Sequence, residues 1–334
     1  MSVKLPMVSI CALVLLAVII SVAIAVSKSP PRSKYDSPEK ITVLLEKRSE
    51  IVTLDFEDFV VGCMFGMANP KHSAEALNSA ACAISTTALY HLENIKGFEY
   101  CGADISDAAL PYLPPESAKK LYGDKYDKYR ELFTSAAQYG MSHVVLYEGA
   151  PICAACCAIS TGYTDSYEDV AMSGKPYLKG VSAEYDKEAD GYISTTALTS
   201  EMVRKALREA APEAVLSGHP EEWFTSAEYS NGGTLTSVDY GGVTLSGAQL
   251  KKLLKLRSSA IAITYENDRL VFTCKGCGDN LGMSLYSANA LALRGKTADE
   301  ILTYFYTGCE VVELCIQKAP HLSEAFLFYS ALSS

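Results

Sequence analysis

The chain has 334 residues, of which 49% are apolar and 20% charged, with a net charge of −10. That is enough for one large domain or two smaller ones with a substantial core, and the composition excludes a disordered protein. The acidic balance excludes nucleic acid as a partner and gives no long-range pull toward anionic polymers, so recognition of such a polymer must come from a local pocket.

Met7 to Val26 form twenty residues without a charge. At about 1.5 Å rise per residue, a helix of that length spans a hydrocarbon core of about 30 Å. Residues 1–27 therefore read as a transmembrane anchor, with Lys4 in the short head before it. Residues 28–39 read as a polar stalk containing Pro30, Pro31, Arg32 and Lys34. Ala23 and Ala25 offer the A-x-A site of a cleaved signal peptide, but the apolar run exceeds the usual signal core. Lys28, Arg32 and Lys34 outnumber Lys4 on the exported side, against the positive-inside tendency. Both readings export the chain. The expected location is a single-pass membrane protein with its soluble part outside the cytoplasm.

Residues 40–55 predict a hairpin, ITVLL and EIVTLDF joined by a charged turn. Asp55 then reads as a helix N-cap, with Asp58 three positions on in an incomplete capping box. The helix FEDFVVGCMFGM ends near Asn69-Pro70, and a longer Ala-rich helix covers Ser73 to Asn94. Residues 97–115 read as a loop rich in proline. A helix from Asp124 to Tyr139 precedes two apolar strands, HVVLYE and ICAACCAIS. The stretch 160–220 reads as long loops with one helix from Ser200. Thereafter come strands WFTSAEYS and TLTSVDYG, a helix capped by Ser246, strands SAIAITYE and RLVFTCKG, and a glycine-rich loop. A helix from about Gly282, another from Thr297 and the strand CEVVELCI complete the pattern. Short strands interleaved irregularly with helices predict an α+β fold with a central groove, not a doubly wound sheet.

Eleven cysteines are present. Most, such as Cys82 in AACAIS and Cys315 in VVELCI, sit in apolar runs and read as small buried hydrophobes. Two C-x-x-C pairs stand apart: Cys153 with Cys156, and Cys274 with Cys277. Structural thiols, a disulfide and tetrahedral zinc are all open for this set. Adjacent strand residues face opposite ways, so Cys156 and Cys157 cannot share one site on a regular strand.

Three stretches carry a resemblance: Phe56 to Leu92, Glu148 to Val170, and Cys274 to Val311. In order and spacing they resemble the stage II sporulation protein D family (the SpoIID/LytB domain) over about residues 40–316, leaving 317–334 as a C-terminal tail. The resemblance implies a membrane-anchored bacterial protein acting on peptidoglycan as a lytic transglycosylase. Its one carboxylic acid protonates the glycosidic oxygen and then takes a proton from the sugar's 6-hydroxyl.

In the family that acid is a glutamate five residues after the glycine of V-x-G. Here the glycine is Gly62 and the fifth residue is Met67, whose thioether neither donates nor accepts a proton. Further departures place Ala80 for a glutamine, Ser85 for an arginine, Thr87 for a tyrosine, Thr161 for a glycine and Tyr163 for an arginine. Cys277 stands for a tyrosine, Asp279 for a histidine, Asn280 for a glycine and Leu285 for a glutamine. A zinc loop found in some members is replaced by ADISDAALPY, with Ala108 and Ala109 at the ligand positions.

Among retained residues, Glu75, Ser160, Thr164, Ser284 and Tyr286 carry over as substrate-binding positions. Glu75 reads equally as a partner for a helix end. Loss of a general acid costs about 10²–10⁴ in rate, so the expectation is a degenerate member without an assignable catalytic residue. It would need no cofactor, and would bind glycan strands of peptidoglycan or scaffold partner wall hydrolases or sporulation proteins. The alternatives are an active transglycosylase using a displaced carboxylate, Glu75 or Asp279, and a redox or zinc protein built on the cysteine pairs.

Overall fold

A computed structural model describes residues 34–95, 100–171, 174–208 and 210–314. The anchor (7–26), most of the stalk and the tail (317–334) lie outside the described residues. Among the described residues no helix is long and apolar enough to cross a membrane.

The predicted hairpin forms β1 (Lys40–Leu45) and β2 (Glu50–Asp55), antiparallel with Leu45 opposite Glu50. Alternation buries Ile41, Val43 and Leu45 on one face of β1. A two-residue strand, β3 (Ile105–Ser106), joins β1 in parallel within the stretch read as loop. Asp55 does occupy the N-cap position of α1 (Phe56–Met67), but its side chain makes no capping bond. Its carboxylate pairs with Lys40 across the hairpin, while that of Asp58 meets Arg130. Cross-strand charge has won over the cap.

The Ala-rich segment is α2 (Ala74–Asn94), a largely buried helix at the centre of the larger core. Its small side chains admit close neighbours. Gly140 of the later helix α4 lies so near that a Cβ there would be 2.5 Å from the Ala81 carbonyl carbon. Next come α3 (Pro115–Tyr122), which starts at the last residue of the proline-rich stretch, and α4 itself (Tyr126–Ser142). Strand β4 (His143–Tyr147) sits centrally between β14 (Glu310–Glu313) and β5 (Ala150–Pro151). The run ICAACCAIS is mostly irregular: β6 (Cys156–Cys157) pairs in parallel with β13 (Met283–Ser284), and Ile159 makes an isolated antiparallel bridge to Cys277.

After the short α5 (Tyr167–Val170), residues 193–275 build a second core of their own around Val238, Leu250, Leu270 and Phe272. The chain enters at Tyr192 and leaves at Gly276, whose N–H donates to the Tyr192 carbonyl at 2.7 Å. The stretch is thus an insertion with its ends tied together, and the range read as one domain holds two cores. Strand β7 (Ile193–Thr199) falls in the stretch that the sequence predicts as loop, because ISTTALT has little apolar content. It pairs with β12 (Arg269–Lys275), which also pairs with β11 (Ile261–Glu266). A second sheet runs β10 (Val243–Leu245), β9 (Leu235–Tyr240), β8 (Phe224–Tyr229). Helices α6 (Ser200–Arg208) and α7 (Gly247–Leu254) complete the insertion, the latter with the Ser246–Gln249 capping box. Back in the main body, α8 (Leu285–Ala292) and α9 (Ala298–Phe305) follow, and Thr297 with Glu300 boxes the start of α9. The architecture is α+β.

Candidate functional site

Five segments converge on a cleft of about 410 Å³: the end of α1, the middle of α2, residues 109–111 after β3, the loop around β6, and the loop before α8 with the first residue of that helix. Glycine makes the approach of the last two possible. Gly282 has φ +66°, and a Cβ there would lie 2.0 Å from the Ala155 carbonyl oxygen. Gly278, at φ +117°, rests against the Cys157 Cβ in the same way. Thr87 binds α2 to the β6 loop, its hydroxyl accepting the Ala154 N–H at 2.9 Å.

Two buried carboxylates that sequence reasoning missed lock the loops. Asp186 accepts from the Ser160 N–H, the Ser284 hydroxyl and the Ser287 hydroxyl. Asp165 accepts from Ser230, Thr234, the Gly232 N–H and the Asn280 amide, joining the insertion to the main body. Neither lines the cleft. Asn280 stands at φ +58°. Asparagine tolerates a left-handed position better than most residues other than glycine, and here the side chain also holds the Thr161 N–H.

The cleft gathers Met67, Thr87, Cys277, Asp279 and Leu285, together with Cys153, Cys156 and Cys157. All five of the former are positions where the sequence departs from the family pattern. Asp279 is the one carboxylate among the described lining residues; it is exposed and ion-paired with Lys251. Burial pushes the Cys156 thiol up to about 12 and the Cys157 thiol well above the ordinary range, so both stay protonated. Cys156 also lies 3.4 Å from the Tyr306 hydroxyl. Such a lining can hold an apolar or sugar face.

The other expected site residues lie elsewhere. Ser160, Thr164 and Ser284 are buried. Their hydroxyls accept the N–H groups of Gly162, Val181 and Ser287 respectively. Glu75 accepts the Ala298 N–H at 2.7 Å, holding the first turn of α9, as the helix-end reading anticipated. Tyr286 is half-buried and does not line the cleft. Ala80 and Ser85 are buried in α2, and among the described residues the Ser85 hydroxyl has no hydrogen-bond partner.

The paired cysteines do not form one centre. Cys274 belongs to the second core, its thiol near the Ser258 carbonyl, while the other three line the cleft. The nine described cysteines are free thiols. Among the described residues no three His, Cys, Asp or Glu side chains are placed to hold a metal. The zinc reading required all four thiols together, and the two cores keep them apart.

No family model matches the chain. It is similar to the stage II sporulation protein D of Bacillus subtilis (strain 168), with 27% identity over 280 residues, 83% of this chain and 80% of the relative. The protein of the same name from Bacillus amyloliquefaciens is 26% identical over 281 residues, with the same coverage. An uncharacterized protein of Brachyspira hyodysenteriae is 25% identical over 266 residues, 78% of this chain and 67% of that protein. The chain is related to the stage II sporulation protein D family.

Proposed function

We propose that this relative of stage II sporulation protein D is a sporulation-associated cell-wall protein that holds a glycan strand of peptidoglycan in the cleft without cutting it. Residues 7–26 tether it to the membrane, and its folded part lies outside the cytoplasm. The observation that carries this reading is the chemistry of the cleft. Met67 stands at the acid position, the buried thiols are protonated, and the one lining carboxylate is exposed and held by Lys251. Catalysis of transglycosylation needs a positioned acid that later acts as base, and this lining offers shape without that group.

A concave, mostly apolar cleft with few polar groups suits one face of a pyranose ring. Co-sedimentation of the full chain with purified peptidoglycan tests the reading. Leu285→Arg, which fills the cleft with a charged side chain, should abolish sedimentation, while the exposed Leu121→Arg should not. Failure of the wild-type chain to sediment would turn the proposal toward scaffolding of partner wall hydrolases. Asp279's place in the lining favours a second reading, an active transglycosylase using that carboxylate, and Asp279→Asn would then lose turnover.

A further inference from the structure

The insertion has an open seam. Strand β8 is one edge of its sheet and β11 is one edge of the other, and among the described residues each pairs on one side only. They run side by side in opposite directions. The Tyr229 hydroxyl, at the end of β8, donates to the carbonyl of Ile261, the first residue of β11. At the other end, Tyr265 near the close of β11 stacks edge-on with His219, just ahead of β8. Between the two edges lies a groove of about 510 Å³, with Val238 and Leu270 from the neighbouring strands in its lining.

Exposed edges are ordinarily blunted, because their free N–H and C=O groups template pairing with another chain. Here two edges face each other. The β8–β9 ladder also breaks between Thr225 and Glu228, leaving Ser226 and Ala227 without register partners on β9. We propose that this seam takes an extended peptide of about six residues from a partner protein, inserted as a strand between β8 and β11. Its backbone would hydrogen-bond to both edges and join the two three-stranded sheets into one of seven. Alternate side chains point one way along a strand. The partner's apolar side chains therefore face Val238 and Leu270.

The rim sets the partner's charge. Glu221 lines the groove, and the other exposed charges on or next to the two edge strands are Glu222, Glu228, Glu266 and Asp268 against Arg269 and His219, so basic residues flank the apolar core of the peptide. This inference does not depend on the glycan reading, since the seam shares no residue with the cleft.

The test is selection of a random heptapeptide phage library on the detergent-solubilised full chain, with enriched peptides then synthesised. The expected peptides alternate apolar residues, carry Lys or Arg at their ends, and slow amide exchange at 224–229 and 261–266. Ala227→Pro removes the N–H of a residue that has no register partner on β9, and should weaken binding at least 10-fold. Glu221→Lys with Glu228→Lys leaves the backbone untouched and should also weaken binding at least 10-fold, which separates the effect from misfolding. No enrichment, acidic flanks, unchanged exchange at the two strands, or affinity that survives the charge variant would each overturn the proposal.

Discussion

Asp165→Ala should separate the two cores. The Asp165 carboxylate is 1% exposed and accepts from Ser230, Thr234, the Gly232 N–H at 2.9 Å and Asn280 Nδ2 at 2.8 Å. In the alanine variant the two hydroxyls can rotate to other acceptors. Asn280 keeps the Tyr163 and Gly232 carbonyls at 3.1 and 3.3 Å. The Gly232 N–H has a fixed direction and is left facing a void. Hydrogen bonds to a charged group are worth about 1.5–3 kcal/mol each, and an orphaned buried donor costs about 1–3 kcal/mol. With partial rescue the net loss should be about 3–5 kcal/mol, the range found on breaking other buried charged contacts. Trp223, the chain's single tryptophan, is buried in the second core and reports on it alone. Urea unfolding followed by Trp223 fluorescence and by far-UV circular dichroism should coincide in the wild-type chain. In Asp165→Ala the fluorescence transition should come first. A loss below about 1 kcal/mol with coincident transitions would refute the claim that this carboxylate couples the cores.

Gly140→Ala drives a methyl group into the Ala81 carbonyl and should cost about 1–3 kcal/mol by thermal or urea unfolding; a neutral result would mean that the two helices can part freely. Ser85→Ala removes a buried hydroxyl without a partner, so it should stabilise by about 1 kcal/mol, and a destabilised variant would reveal an acceptor for that group. His91 is held down to about 4, by burial first and Lys175 second. Between about pH 6.5 and 4 the unfolded chain binds a proton that the folded chain refuses, so stability should fall as pH falls through that window. His91→Gln should flatten this part of the pH profile, and an unchanged slope would assign it to other groups. At pH 8 the exposed Cys101 should alkylate quickly with iodoacetamide, whereas Cys156, with its thiol near 12, should be on the order of 10⁻⁴ ionised and stay unlabelled until unfolding.

Local chemistry made much of the fold legible. The capping boxes at Ser246–Gln249 and Thr297–Glu300 need only four adjacent residues, and both form. The hairpin of residues 40–55 and the long helix α2 follow from apolar spacing alone. Strand β7 escaped because its sequence is polar and its pairing partner, β12, lies 70 to 82 positions away. Asp165 and Asp186 escaped for a related reason. An aspartate in a polar stretch reads as surface or as catalyst, and the donors that make burial tolerable come from residues up to 115 positions distant. The departures at Met67, Thr87, Cys277, Asp279 and Leu285 were legible one by one, and the cleft brings those five together. Ser160, Thr164 and Ser284 are carried over as substrate-binding positions by the family resemblance alone, and a matched residue type cannot distinguish a hydroxyl turned toward solvent from one turned toward a neighbouring amide.

The central claim is a cleft that holds glycan and leaves it intact. Denuded peptidoglycan should be incubated with the full wild-type chain, and the soluble fraction analysed by liquid chromatography and mass spectrometry for anhydro-muropeptides. The account predicts that the protein sediments with the glycan and releases none above the buffer control. It predicts the same for Met67→Glu, because the positions that would hold the sugar against a restored acid include Leu285 and the paired Asp279. Steady release by the wild-type chain, lost in Asp279→Asn, would contradict it.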